Sequence, residues 1–295
     1  MLFAHRGYHL ESPENSLEAF REAISLGADV LEMDVRMTAD GEIVVAHDPD
    51  GQRVARQGAK IAQIEYSELR RWNLRDGLVS SGGLSAPVRV PRFAEVLNAF
   101  PETSLNVDIK PLGLRVVRRL LALIAEHCAS RRVLLTSFSE TNLRLVRAAH
   151  YPGPIGVSRW GVARALLVPE PLVVGGHLPR LRFLRRAYRM PEHPPGRDGR
   201  RRLQIPVQAG ALRLDTRAAI ERAHRLGYRV DYWVVDDPAE AERLLDLGAD
   251  GIVTDNLPGI ADVFGYHVRT AGYRQRRGLS PAAVDSSDRS VGSSK

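Results

Sequence analysis

The sequence LGADVLEMDV, Leu26–Val35, contains the joint between a helix and a buried strand. Glycine readily takes the left-handed conformation that closes a helix, so the helix should end at Gly27. The apolar run that follows it is typical of a strand. The same joint recurs as LGADGIVT, Leu247–Thr254. A helix that passes directly into a strand near both ends of the chain indicates repeated βα units and hence a parallel sheet.

Short apolar strands alternate with helical patterns on either side of these joints. The predicted strands are Leu2–Ala4, Val30–Val35, Ile43–Ala46, Ser104–Ile109, Val133–Ser137, Ile155–Ser158, Leu203–Gln208, Arg229–Val235 and Gly251–Thr254. The predicted helices are 14–27, with Ser12 or Asn15 as its cap, a short patch at Ser67–Trp72, and then Phe93–Phe100, Leu114–His127, Glu140–Ala149, Thr216–Leu226 and Asp237–Gly248. Roughly eight such strands predict an α/β fold, a closed (β/α)₈ TIM barrel. A doubly wound open sheet is the alternative, although no Gly-x-Gly-x-x-Gly follows a strand.

Length and composition fit one large domain. The chain has 295 residues, of which 44% are hydrophobic and 26% charged, and these proportions are those of a globular protein. The single cysteine, Cys128, excludes an intramolecular disulfide. We expect the barrel to occupy residues 1–265, with a polar insertion at 48–90 and a basic insert at 159–202. Arginine, serine and glycine dominate 266–295, which we expect to be a disordered tail.

The basic insert carries the positive excess of the whole chain. It holds eleven arginines, no lysine and three acidic residues, whereas the net charge of the chain is +7. Our first interpretation is a barrel helix followed by a solvated loop. The second is an interfacial segment that makes peripheral contact with an anionic membrane. Charge alone is a weak basis for nucleic-acid binding, which we do not expect.

The sequence has neither a membrane-spanning run nor a secretory signal pattern. A spanning helix needs roughly 18 or more consecutive apolar residues, and the N-terminus lacks a basic region followed by an apolar stretch. We therefore expect a cytoplasmic protein, with membrane contact limited to the basic insert.

Polar residues follow several of the predicted strands at the point where each one ends. They are His5 and Arg6, Glu32 and Asp34, His47, and Asp108 and Lys110. The active sites of TIM barrels lie at the carboxyl ends of the strands. Residues two apart on a strand point to the same face, so Glu32 and Asp34 should enter one site together.

Three carboxylates in one site repel each other unless a cation lies between them. Oxygen ligands favour a hard divalent ion, Mg²⁺ or Ca²⁺, at Glu32, Asp34 and Asp108. Two flanking histidines suit acid and base chemistry near neutral pH. With Arg6 and Lys110 the site would attract an anion, and a phosphoester is the natural guest.

The segment Ala4–Asp50 resembles the glycerophosphodiester phosphodiesterase family. It contains, in the family's order, HRG, PENS, GADVLEMDV, DG and HD. The run LNVDIKP from Leu105 is similar to the family's third strand. GYRVDYWVVDD and LGADGIVTDNLP are similar to its last two strands, so the resemblance covers residues 2–264.

The resemblance implies a TIM barrel that hydrolyses glycerophosphodiesters to sn-glycerol 3-phosphate and an alcohol with the help of a divalent metal. It implies that His5 and His47 are the acid/base pair. It further implies metal ligation by Glu32, Asp34 and Asp108, phosphate binding by Arg6 and Lys110, and a pocket position for Trp233. The family usually has glutamate where this chain has Asp108, and the insertion after His47 differs from the family's usual sequence.

Two other functions stay open from sequence. The same barrel could act as a phospholipase D on lysophospholipids or another membrane phosphodiester, with the basic insert as its docking surface. Alternatively, it could bind a phosphoester without catalysis. The intact His5, His47, Glu32 and Asp34 argue against the non-catalytic alternative.

Overall fold

A curled sheet of parallel strands forms the centre of the computed structural model, which describes residues 1–77, 86–167 and 201–265. The strands are β1 Leu2–Ala4, β2 Val30–Met37, β3 Ile43–Val45, β4 Asp50–Gly51, β5 Gln57–Lys60, β6 Ser104–Ile109, β7 Val133–Thr136, β8 Arg201–Pro206, β9 Gln208–Ala209, β10 Leu212–Arg213, β11 Tyr228–Trp233 and β12 Gly251–Thr254. The order across the main sheet is β7-β6-β2-β1-β12-β11-β8, and β3 adds to β2 in the antiparallel direction.

The first and last strands of the described chain lie side by side, as a barrel requires. Leu2 pairs with Ile252 and Ala4 with Thr254, while the other edge of β1 pairs with β2. Beyond β7, Ile155 makes a parallel bridge with Leu135, where the sequence predicted a strand over Ile155–Ser158. The predicted TIM barrel is confirmed.

Nine α-helices with defined bounds pack around the sheet within the described residues. They are α1 Leu17–Ser25, α2 Gln52–Ala55, α3 Tyr66–Leu69, α4 Phe93–Ala99, α5 Leu114–Glu126, α6 Glu140–Ala148, α7 Arg159–Leu167, α8 Arg217–Arg225 and α9 Pro238–Leu247. The two LGAD joints form as predicted, because Gly27 (φ +89°) and Gly248 (φ +108°) take the left-handed conformation. In these residues no helix is both long enough and apolar enough to cross a membrane.

The predicted cap of the first helix was wrong. Ser16, rather than Ser12 or Asn15, caps α1 by accepting a hydrogen bond from the backbone N–H of Ala19. Asn15 has left-handed backbone geometry (φ +56°), and its side chain points to Asp34 instead. A local pattern cannot separate adjacent cap candidates when one of them is used in a tertiary contact.

The two larger of three hydrophobic clusters hold most of the described chain together. The larger one lies between the sheet and the surrounding helices. The smaller one lies under the insertion, where Trp72 and Leu69 are buried with Ile61 against Val44 of the barrel. Truncating a buried aromatic such as Trp72 to alanine typically costs about 3–5 kcal/mol. The insertion is therefore packed onto the barrel next to His47.

The barrel interior is polar along much of its length. Glu32 and Asn106 are paired neighbours on β2 and β6, and both are buried. At the amino-terminal end of the strands Arg202 pairs with Asp231, Nη1 to Oδ1 at 2.5 Å, beneath the ring of Phe3. This ion pair forms the floor of the interior and leaves the opposite end to the site.

Two sequence-based predictions lie largely or wholly outside the described residues. Within the basic insert the structure describes Arg159–Leu167, Arg201 and Arg202. The tail 266–295 lies outside them entirely.

Candidate active site

One cavity of about 510 Å³ opens at the carboxyl ends of the strands. All eight side chains that the sequence singled out line it: His5, Arg6, Glu32, Asp34, His47, Asp108, Lys110 and Trp233. These residues are far apart in the sequence, from His5 to Trp233. The parallel sheet brings them together because the carboxyl ends of its strands lie at one rim of the barrel. The strand-end rule led to seven of these side chains and the family resemblance led to Trp233, and their roles stay predictions.

An acidic pair bridged by a lysine lies at the base of the cavity. Asp34 and Asp108 are register neighbours on β2 and β6. The Lys110 Nζ atom lies 2.8 Å from Asp34 Oδ1 and 2.7 Å from Asp108 Oδ2. Burial and the charge of Asp34 raise the pKa of Asp108 in spite of Lys110. For Asp34, burial is outweighed by Lys110, Arg6 and Asn15 acting together, so its pKa is lowered.

Glu32 is a strongly perturbed carboxyl of the cavity. Burial and the negative charge of Asp34 raise its pKa to about 8. The backbone N–H of Arg6 donates to Glu32 Oε2 at 3.0 Å. The Arg6 side chain lies near Asp34, Nε to Oδ2 at 3.3 Å, and donates from Nη1 to Glu14. The site is thus rich in buried negative charge that its own cations only partly balance.

His47 is oriented by a carboxylate adjacent in sequence. Its Nδ1 atom lies 2.7 Å from Asp48 Oδ1, and its backbone carbonyl accepts two hydrogen bonds from the guanidinium of Arg36, at 2.9 and 2.6 Å. Burial by itself raises the pKa of Asp48, but hydrogen bonds to His47 and Arg53 outweigh it, so the net pKa is lowered. Because Nδ1 is held in this way, Nε2 is the ring atom left for chemistry.

His5, which follows β1, is oriented in the same way. Its Nδ1 atom lies 2.6 Å from Asp255 Oδ1, and the same oxygen lies 2.8 Å from His9 Nε2. Asp236 accepts from the backbone N–H of Asp255 at 2.7 Å. Burial alone lowers the pKa of His5, but the Asp255 hydrogen bond and the charge of Glu32 outweigh it, so the net pKa is raised.

The opposite wall of the cavity is apolar. The rings of Phe138 and Trp233 meet edge to face with centroids 5.7 Å apart. The other apolar lining residues are Val157, Val162, Ala163, Leu166, Pro206, Ala209, Leu212, Leu214, Val234 and Val253. The cavity therefore has a charged half, suited to a phosphoester, and an apolar half.

Sequence reasoning missed several residues that hold the site together. Asp255 follows β12, so the strand-end rule that found His5 would also have found it. Phe138 follows β7 in the same way. Glu14 and Arg53 gave no comparable signal, since their ion pair joins a loop to the insertion 39 residues away.

A TIM barrel with two carboxylate-anchored histidines facing acidic and basic side chains at its carboxyl end has the architecture of a phosphoester hydrolase. The sequence matches the glycerophosphoryl diester phosphodiesterase family over residues 5–258. The chain belongs to this family and is an enzyme of the phosphoric diester hydrolase class.

Named relatives cover most of the chain. A probable glycerophosphodiester phosphodiesterase 2 of Mycobacterium tuberculosis is 30% identical, over 88% of this chain and 89% of its own length. Lysophospholipase D GDPD1 of Mus musculus is 26% identical, over 85% and 82%. A phosphodiesterase structure from Oleispira antarctica, in complex with the product sn-glycerol-3-phosphate, has a TM-score of 0.67 at 20% identity, covering 90% of this chain and 96% of its own. At that identity the structural likeness supports the fold.

Proposed function

We propose that this protein hydrolyses glycerophosphodiesters to sn-glycerol 3-phosphate and an alcohol, with a divalent cation and with His5 and His47 as the acid/base pair. One observation carries the proposal. Two histidines, each held at Nδ1 by a carboxylate, line the same cavity as three buried carboxylates and two basic side chains.

The histidines would move the two protons of the reaction. One ring accepts a proton at Nε2 from the attacking hydroxyl, which is either water or the 2-hydroxyl of the glycerol. The other donates a proton from Nε2 to the oxygen of the leaving alcohol. Asp48 and Asp255 fix the ring orientation and stabilise each imidazolium while it carries the charge.

Glu32, Asp34 and Asp108 would hold the cation. Three observations support the fit. All three are oxygen donors and buried, Asp108 Oδ1 is buried without a hydrogen-bond partner, and the pKa of Glu32 is raised by burial and by the neighbouring charge of Asp34. Oxygen donors of this kind favour Mg²⁺ or Ca²⁺. Such a cation supplies charge stabilisation for the phosphoryl oxygens when bound.

Arg6 and Lys110 would bind the phosphate. The Arg6 Nε atom is buried and has no well-oriented hydrogen bond, although Asp34 lies within ion-pair distance. Lys110 carries its charge with a raised pKa, because Asp108 and Asp34 outweigh the effect of its burial. Both groups therefore present fixed positive charge where a phosphodiester would enter.

The test is release of glycerol 3-phosphate from glycerophosphocholine, measured with Mg²⁺, with Ca²⁺ and with chelator. We expect metal-dependent release that His47→Ala lowers by about 10²–10⁴-fold, the usual contribution of one acid or base group. His224→Ala is the matched control, because His224 also pairs with an aspartate, Asp250, but lies outside the cavity. Full activity after exhaustive chelation would show that the carboxylate assignment is wrong.

A lysophospholipid is the second candidate substrate, and the apolar wall favours it. An acyl chain that stays attached to the glycerol would lie against Leu166, Leu212 and Trp233 on that side of the cavity. The relative from Mus musculus is named a lysophospholipase D. The experiment measures kcat/KM for lysophosphatidylcholine and for glycerophosphocholine in the wild type and in Leu212→Asp. A selective loss on the acylated substrate supports this candidate, whereas an equal loss on both contradicts it.

Membrane contact through 159–202 stays a proposal tied to this second candidate. Trp160 is 71% exposed next to Arg159, whose guanidinium lies over the Phe138 ring at the cavity wall. We expect co-sedimentation with vesicles that contain anionic lipid, weakened by Trp160→Ser. Equal sedimentation of the variant would remove this part of the surface from the proposal.

A further inference from the structure

Three side chains of types that can bind a metal ion, His5, His9 and Asp255, meet at the edge of the cavity, which His5 also lines. One ring nitrogen from each of His5 and His9 and a carboxylate oxygen of Asp255 all lie within 4.8 Å of one another. Among the described residues this is the one group of three or more histidine, cysteine or acidic side chains that converges so closely. Both ring nitrogens contact the same Asp255 oxygen, at 2.6 and 2.8 Å, so a bound ion would replace these two hydrogen bonds.

The backbone fixes two of the three groups before any ion arrives. His5 and Asp255 follow β1 and β12, which pair in register, and the backbone N–H of His5 donates to the Thr254 carbonyl at 3.0 Å. Asp236 holds the backbone of Asp255. A preorganised ligand pair lowers the entropy cost of binding an ion.

The side chains are also accessible from solvent. The exposed fractions are 19% for His5, 22% for His9 and 31% for Asp255. An ion can therefore enter, and a water molecule can complete its coordination. Three protein ligands with one open position are a common arrangement for zinc.

We propose that His5, His9 and Asp255 form a Zn²⁺ site, and that zinc bound there withdraws His5 from proton transfer. The donor set decides the ion. Two imidazoles and one carboxylate favour Zn²⁺ over Mg²⁺ or Ca²⁺, which prefer the all-oxygen set of Glu32, Asp34 and Asp108. The two sites would thus discriminate between ions by ligand type.

The inhibition follows from the ring chemistry and rests on the proposed function of His5. Zinc takes the Nδ1 lone pair. An imidazolium loses its Nδ1 proton to solvent, whereas a neutral ring protonated at Nδ1 changes tautomer through solvent and loses no proton. The remaining ring proton is then on Nε2. A ring in this state has no lone pair with which to accept a proton, and it is a much weaker acid than a free imidazolium. Either role of His5 is suppressed.

Zinc binding is measured first, without reference to activity. The full chain competes with a chromogenic chelator for Zn²⁺ in the presence of saturating Mg²⁺. We expect one site per chain, weakened by more than about tenfold in His9→Gln, since the loss of even an outer partner commonly costs that much. His224→Ala and Glu32→Gln should bind zinc as the wild type does. Thermal unfolding of each variant verifies that it is folded.

The outcomes separate the two proposals. Zinc affinity unchanged in His9→Gln, or lost in Glu32→Gln, would overturn the assignment of the site. If zinc binds as expected but no diester is hydrolysed, the zinc site stands and the proposed function falls. If hydrolysis occurs, the rate of each protein with Zn²⁺ is compared with its own rate without Zn²⁺. We expect Zn²⁺ to inhibit the wild type at concentrations at which His9→Gln stays active. Equal inhibition of both would overturn the role of zinc at His5.

Discussion

Arg53 forms a bidentate ion pair with Glu14 through both terminal nitrogens of its guanidinium. Nη1 lies 2.5 Å from Oε2 and Nη2 lies 2.7 Å from Oε1. Arg53 is on helix α2 of the insertion, and its Nε atom also lies 2.7 Å from Asp48 Oδ2. Glu14 in turn accepts from Arg6. One exposed arginine of the insertion therefore connects the carboxylate that orients His47 with the loop that carries Arg6.

We expect Arg53→Ala to lower kcat, because Asp48 would lose a fixed partner and His47 would be less well oriented. The expected loss is about 10–100-fold, the range typical of outer-sphere partners. Arg53→Lys should recover part of it, since a lysine keeps the charge without the two-point geometry. Arg70→Ala, an exposed arginine of the same insertion, is the control. Equal kcat in Arg53→Ala and Arg70→Ala would show that Arg53 does not act through His47.

Glu32 should make the metal-free protein less stable as the pH rises. Its pKa is about 8 in the folded chain against 4.5 for the ordinary group. Between those values the folded protein holds a proton that the unfolded chain has released, so the free energy of unfolding falls as pH increases. The contribution is fully present at lower pH and is lost as the pH passes through about 8. Glu32→Gln mimics the protonated form and should lack this part of the slope.

The measurement is denaturant unfolding of wild type and Glu32→Gln in chelator, from about pH 5 to pH 9, across the window in which the two states differ in bound protons. In chelator at high pH we expect Glu32→Gln to be more stable than the wild type. With Mg²⁺ or Ca²⁺ the wild type should be the more stable of the two, because the ionised carboxylate becomes a ligand that glutamine replaces poorly. Parallel stability curves for the two proteins in chelator would contradict the raised pKa of Glu32.

Lys110 bridges the buried carboxylates of Asp34 and Asp108, so its removal should lower the free energy of unfolding. We expect Lys110→Met to destabilise the cation-free protein by about 3–5 kcal/mol, the usual cost of breaking a buried ion pair. A saturating divalent cation should restore part of this loss, because it compensates the same charges. Lys60→Met, at an exposed position of β5, should change stability little. If Mg²⁺ and Ca²⁺ stabilise Lys110→Met no more than wild type, the cation does not bind at Asp34 and Asp108.

The barrel and the charged strand-end side chains of its cavity could be predicted, because both depend on local patterns. Buried parallel strands are continuous apolar runs, and chemistry at their carboxyl ends is adjacent to them in sequence. Glu32 and Asp34 needed only the two-residue period of a strand to be placed together.

The contacts that support the site could not be predicted, because they depend on closure of the barrel. The strand-end rule places Asp255 at the same rim as His5 but does not pair the two side chains. The Nδ1 atom of His5 meets Asp255, 250 residues later, only once β1 has paired with β12. The cap of α1 failed for a related reason. Asn15 is a good cap residue by type, but its amide is used by Asp34 across the site.

Two substitutions of Asn15 can separate the effect of its backbone conformation from the effect of its hydrogen bonds. Its Nδ2 atom donates to Asp34 Oδ2 at 3.0 Å, its Oδ1 atom accepts from the Asp34 backbone at 3.3 Å, and its φ is +56°. Asn15→Gly keeps the backbone geometry and loses both hydrogen bonds. Asn15→Ala loses the hydrogen bonds and also incurs the left-handed penalty, about 1–2 kcal/mol.

We therefore expect Asn15→Ala to be less stable than Asn15→Gly by about 1 kcal/mol in denaturant unfolding. Both variants should lose a similar fraction of kcat, because Asp34 loses the same amide partner in each. Ser25→Ala, at an exposed hydroxyl of α1, is the control. If Asn15→Gly keeps full activity while its stability drops, Asn15 serves the loop alone. If instead activity falls in both variants with unequal stability, the amide of Asn15 is what holds Asp34 in place for the cation and the phosphate.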